Sequence, residues 1–169
     1  MSKTIKCKNL KFEENKSSID NFRIKTAFPR ISEIVKSEHL QFDVRLLDPD
    51  QYSFPYHFHR HAEELMYIIS GSLTLRTEDG LQIINQGDLL FFEMGEKGAH
   101  QLFNHTKEPC IYIDIKTYSD NDICEYPDSG KVNISHYREI FEKNSEVDYF
   151  KGEKNVREIW KKLKYLKNN

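Results

Sequence analysis

Three histidines stand at every second position in "HFHRH", as His57, His59 and His61, and two glutamates, Glu63 and Glu64, follow within a few residues. Imidazole and carboxylate together suit first-row transition metals, with short N and O bonds of about 2.0–2.2 Å for zinc. Successive side chains of a strand point to opposite faces, so His57 and His59 look the same way and reach one ion, and the spacing admits His61 as well. One of the two glutamates joins them and its neighbour does not. Glu64, which opens the next strand, is the expected donor, and Glu63 is expected to face away. Downstream, "NQGDLLFFEMGEKGAHQLFN" runs from a turn at Gly87 through a short apolar strand to His100 and Asn104. A site with three or four protein ligands keeps positions open for water, dioxygen or a chelating substrate. Iron, manganese, nickel, zinc and copper all tolerate this mix, so the expected cofactor is one divalent transition-metal ion of unspecified identity. The competing reading is a set of histidines kept as a polar plug in a barrel, without a metal.

The elements that must position these groups are short strands. "QFDVRLL" alternates Phe42, Val44 and Leu46 at period two, which predicts a half-buried strand. "ELMYIIS", "SLTLRT", "LQIIN", "DLLFFEM", "HQLFN" and "CIYIDIKT" follow, separated by glycine-bearing turns. Many short strands without intervening helices predict an all-β sandwich or barrel. With Glu64 inward, parity sends Met66 and Ile68 inward too, and Leu102 and Asn104 follow His100, which predicts a largely apolar inner wall around the ion. The same parity sends Leu65, Tyr67 and Ile69 outward, where the N-terminal segment, the C-terminal helix or a second subunit must cover them. His61 is expected beside the ligands, orienting one of them or shuttling a proton. His39, His105 and His136 are read as ordinary polar residues. A short helix is predicted within residues 30–39. Past Thr117 the chain turns too polar and turn-rich for core, and then Val156, Ile159, Trp160 and Leu163 fall at helical spacing, predicting an amphipathic helix docked on the sheet.

Composition narrows the partners. A length of 169 residues accommodates one domain with extensions, and a formal net charge of −2 gives no electrostatic case for nucleic acid. The lysines of the final helix, Lys161, Lys162, Lys164 and Lys167, read as a solvated face. No apolar run approaches the roughly 20 residues that span a bilayer. Cys7, Cys110 and Cys124 are scattered, and the N-terminus lacks a secretory apolar run, so a cytoplasmic protein is expected.

Taken in order, His57, His59, Glu64 and Gly71, then Gly87, Gly95, His100 and Asn104, resemble the two motifs of the cupin superfamily. The resemblance spans the chain from about Gln41 to Lys116. Three positions depart from the pattern: Gln51 and Glu93 replace a usual glycine and proline, and the loop from Gly95 to His100 is two residues longer. None removes a ligand. "EYPDSGKV" is similar to tails of bacterial single-domain cupins. The resemblance implies a double-stranded β-helix, or jelly-roll barrel, with His57, His59, Glu64 and His100 as metal ligands and a homodimer as the default assembly. Residues 1–39 then form an N-terminal extension, 40–117 the barrel core, and 118–169 a C-terminal extension with its helix. The function it implies is a small metal-dependent oxygenase, isomerase or decarboxylase acting on a small organic molecule. The alternative is a non-catalytic cupin that senses a small molecule or metal. No arginine or lysine other than Arg60 and Lys97 lies within the motifs, so no anion clamp is expected.

Overall fold

The computed structural model describes residues 2–6, 9–15 and 19–163. Cys7, Lys164 and Lys167 lie outside the described residues. Strands β1 (Lys11–Glu14), β2 (Lys25–Phe28) and β3 (Leu40–Leu47) precede the predicted metal stretch, with α1 (Ile31–Val35) between the last two. The stretch itself supplies β4 (Phe58–His59) and β5 (Glu64–Ser70). There follow β6 (Ser72–Thr77), β7 (Gly80–Asn85), β8 (Leu89–Phe92), β9 (Gln101–Phe103) and β10 (Cys110–Thr117), and then β11 (Ile123–Tyr126), β12 (Lys131–Ile134), β13 (Glu139–Glu142) and α2 (Val156–Lys162).

All strand pairings are antiparallel. One wall is a six-stranded sheet in the order β1-β2-β3-β10-β5-β8. The other consists of a four-stranded sheet, β13-β12-β11-β4, and a three-stranded sheet, β7-β6-β9. A single bridge between His57 and His100 joins these two at the site itself. The protein is thus an all-β sandwich of jelly-roll type with a short C-terminal helix.

Between the walls lies an apolar core drawn from both: Leu47, Met66 and Ile68 on one side meet Leu73, Leu75 and Leu102 on the other. Burying each such side chain contributes about 1.5–3 kcal/mol. Gly71 closes the tight β5–β6 connection at φ +88°, and a Cβ there would sit 3.0 Å from the Cys110 backbone, so only glycine fits.

Three expectations need correction. β3 is covered on both faces: Val44 packs outward beneath the N-terminal residues Ile5, Leu10 and Phe12, while Asp43 on the inner face is 2% exposed. The segment after Thr117 is structural and contributes three strands, with Asp122, Cys124 and Glu125 buried, because hydrogen-bonded and ion-paired polar residues are at home inside. The helix α2 has formed, but none of its residues is buried, and Ile159 and Trp160 are about half exposed, so it is not docked on the sheet. Of the outward row on β5, Ile69 joins the cluster under the N-terminal segment, whereas Tyr67 stays 42% exposed. No helix among the described residues is long and apolar enough to cross a membrane.

Candidate metal centre

His57, His59, Glu64 and His100 come together at the junction of the two walls. His57 and His100 exchange both backbone hydrogen bonds, at 3.2 and 2.9 Å, which sets their rings side by side with centroids 4.7 Å apart. Glu64 enters from the opposite wall, its Oε2 at 3.5 Å from Nε2 of both His59 and His100. One donor atom each from His57, Glu64 and His100 lies within 4.8 Å of the others, and His57, His59 and Cys124 make a second such group. Glu63 is exposed, as the strand alternation predicts.

Each histidine ring is fixed through Nδ1. That atom donates to the Pro55 carbonyl in His57 and to the Gly98 carbonyl in His100, both at 2.8 Å, and meets Asp122 Oδ2 at 2.6 Å in His59. A carbonyl only accepts, so the proton sits on Nδ1 and Nε2 keeps its lone pair for a ligand. Phe92 stacks on the His100 ring with centroids 3.6 Å apart, and Gly98 lies so close to the Glu93 backbone that a Cβ there would fall 1.9 Å from the Glu93 carbonyl oxygen.

Electrostatics follow from burial. Burial holds His57 well below the ordinary imidazole range and brings His100 to about 4, so both are neutral. Glu64 is pushed well above the usual carboxylate range, first by burial and then by the charge and hydrogen bond of Asp114. Burial also acts to raise Asp122, but its hydrogen bond with His59 and the charges of His59 and Lys116 outweigh that and bring it to about 2. Glu64 Oε2 and His100 Nε2 are buried without any hydrogen-bond partner. Two orphaned buried polar atoms facing each other fit a donor set for a cation, since leaving each unmet costs about 1–3 kcal/mol or more.

The remaining predicted site residues fall elsewhere. Met66, Ile68 and Leu102 belong to the apolar core beneath the donors. Asn104 ties a loop: its Nδ2 donates to the Leu47 and Glu108 carbonyls, and its Oδ1 accepts from Thr106. The His61 side chain is exposed, and only its backbone N–H meets Asp122, at 3.3 Å. His39, His105 and His136 are exposed.

A cavity of about 510 Å³ opens over His57, His59 and Glu64. Its wall is not the apolar one expected. β3 and β10 turn Asp43, Arg45, Asp114 and Lys116 toward it, because their isoleucine, valine and phenylalanine alternates are taken up by the outer cluster. Arg30, Cys124 and Tyr126 complete this side. Sequence reasoning missed these residues, yet the inward row was readable as the polar alternates of "QFDVRLL" and "CIYIDIKT". Nothing local marked Asp122, whose role comes from a pairing of β11 with β4 across more than sixty positions.

The Cupin domain family matches residues 44–116. Residues 44–116 of this chain form a cupin domain. A sugar phosphate isomerase from Silicibacter pomeroyi, itself a cupin, superposes with a TM-score of 0.73 at 15% identity, over 87% of this chain and 98% of that one. A predicted oxalate decarboxylase from Thermotoga maritima gives 0.56 at 18% identity, over 69% of this chain and 100% of that one. The polyketide cyclase RemF from Streptomyces resistomycificus gives 0.55 at 18% identity, over 69% and 80%. At these identities the likeness is one of fold. No curated protein matches the sequence.

Proposed function

We propose that this cupin is a metal-dependent enzyme for a small organic substrate, with one divalent transition-metal ion held by His57, His59, Glu64 and His100. The observation that carries the reading is the pair of orphaned atoms, Glu64 Oε2 and His100 Nε2, buried among neutral imidazoles and 3.5 Å apart. At 3.5 Å the two atoms make no hydrogen bond to each other, whereas a cation engages both. A bound ion would supply Lewis acidity toward a ligand in the cavity. The chain's own part is to hold three rings in one tautomer through Pro55, Asp122 and Gly98, to keep His57 and His100 neutral by burial, and to offer a substrate-sized chamber beside them. Solved structures named for isomerase, predicted decarboxylase and cyclase chemistry share the fold, which by itself selects no reaction.

Two further parts of the proposal concern setting. Exposed Tyr67, Leu89 and Phe91 lie side by side on the outer face of β5 and β8, and a homodimer would bury them; a monomer mass by light scattering at high micromolar concentration would exclude it. Cys110 and Cys124 are free thiols, which supports a reducing compartment such as the cytoplasm; a disulfide in protein isolated from its host would contradict that.

The test of the metal reading is elemental analysis of protein purified from its native host, paired with melting curves before and after chelation. We expect about one ion per chain and a lower melting temperature once it is removed. Metal-free protein whose melting is indifferent to chelator would overturn the proposal.

A further inference from the structure

The cavity over the donors carries more cationic hydrogen-bonding capacity than its own carboxylates use. Asp43 is saturated: it accepts from the backbone N–H groups of Ile31 and Ser32, from the Ser32 hydroxyl, and from Nε and Nη2 of Arg30. Arg30 therefore keeps Nη1 without a protein partner among the described residues, and its side chain is half exposed at the mouth. Deeper in, Arg45 sends Nε to Asp114 at 3.3 Å and Nη1 to the Thr26 hydroxyl at 2.7 Å. Its Nη2 has no protein partner among the described residues, although the side chain is only 13% exposed. The Phe54 ring, 5.7 Å from the guanidinium carbon, flanks it. A guanidinium largely covered yet keeping Nη2 free of protein partners on the cavity lining is placed to receive an acceptor from a ligand.

The rest of the lining combines apolar Phe42, Phe54, Pro55 and Cys124 with polar, uncharged side chains. Ser32, Gln41, Tyr126, Asn133 and Ser135 all border the same space, so hydroxyl and amide groups ring it between the arginines and the histidines. Such groups exchange hydrogen bonds with hydroxyls, while Phe42, Phe54 and Pro55 give apolar contact to a carbon skeleton. The charges agree: Arg30, Arg45 and Lys116 balance Asp43, Asp114 and Glu64 on the lining, so a divalent cation at the donors leaves the chamber positive.

Resting on the metal reading above for one end of the ligand, we propose that the substrate is a small hydroxylated molecule ending in an oxyanion. Its hydroxyl or carbonyl oxygens lie toward His57, His59, Glu64 and His100, and its anionic group is received by Arg30 and Arg45. Planar forked donors match the oxygens of a carboxylate and of a phosphate alike, so the shared chemistry is that of a sugar acid or a sugar phosphate.

Calorimetric titration of the metal-loaded full chain with gluconate, glucose 6-phosphate and glucose tests this. At least one anion should bind about tenfold or more tightly than glucose, and whichever anion leads tells carboxylate from phosphate. Arg30→Gln, at the exposed mouth, should weaken that anion about tenfold and leave glucose alone, with Arg30→Lys recovering part of the loss; Arg45→Gln, checked for folding by its melting curve, should weaken it further. Equal affinity for all three, no binding of either anion, or an anion affinity unmoved by Arg30→Gln would overturn the assignment. A chain that takes up no metal but still prefers the anions through Arg30 would refute the metal reading and uphold the anion end of this one.

Discussion

His100 and Asn104 stand four residues apart on one strand run, both fully buried and both polar, and the structure puts them to opposite uses. Every polar atom of the Asn104 amide is engaged, by two backbone carbonyls and by the Thr106 amide and hydroxyl. His100 is engaged only at Nδ1, and its Nε2 faces an equally orphaned Glu64 oxygen. Complete satisfaction marks a residue that holds the fold; a buried donor left waiting marks one that holds something else. Position in a motif does not make that distinction. Hydrogen-bond accounting does.

The largest expected effect lies at the unsatisfied end. Glu64→Gln replaces the sole carboxylate of the donor set with a neutral amide and should weaken metal affinity by more than the roughly 100-fold that marks the upper range for outer partners, whereas Glu63→Gln should change it little. Competitive chelation reads both. A loss in Glu63→Gln with retention in Glu64→Gln would mean a one-residue slip of β5 and reverse every face of that strand.

Acid should find the same end. In metal-free protein the folded His100 titrates at about 4, below the ordinary imidazole value of 6.5. Between those values the unfolded chain binds a proton that the folded chain does not. Stability is therefore complete above pH 6.5 and falls as the pH drops toward 4, by on the order of 3 kcal/mol for this one group. Urea melts across this range should show the loss, and His100→Asn should flatten the slope. Because the raised Glu64 works in the opposite direction over part of this range, the His100→Asn comparison decides: a slope that this variant leaves unchanged would show that His100 is not buried neutral.

At the satisfied end the effect is smaller and of a different kind. Asn104→Ala removes the side-chain partner of the Leu47 carbonyl and the Thr106 amide, while the Glu108 carbonyl keeps the Thr106 hydroxyl, and should cost about 2 kcal/mol of stability. Metal affinity of the folded fraction should be unchanged. If that affinity fell along with stability, Asn104 would have to be returned to the site and the contrast with His100 abandoned.

The strands of the central region were legible because side-chain period two leaves a readable trace: "ELMYIIS" and "CIYIDIKT" coincide with β5 and β10. Alternation also placed Glu64, Met66 and Ile68 on one face and Glu63, Leu65 and Tyr67 on the other, as the burial of β5 shows. What alternation cannot say is what each face meets. The apolar alternates of β3 and β10 serve an outer cluster made with N-terminal residues, so their polar alternates, Arg45, Asp114 and Lys116, face the cavity that had been expected to be apolar. The sequence by itself determined the metal-capable residue types, their spacing and the strand periodicity, because these are local. Only the tertiary structure decided that Asp122 orients His59, that Arg30 reaches the cavity through Asp43, and that His100 rather than Asn104 is left unsatisfied. Each depends on a partner supplied by a distant segment, and a hydrogen bond between residues far apart in the chain leaves no periodic signal along it.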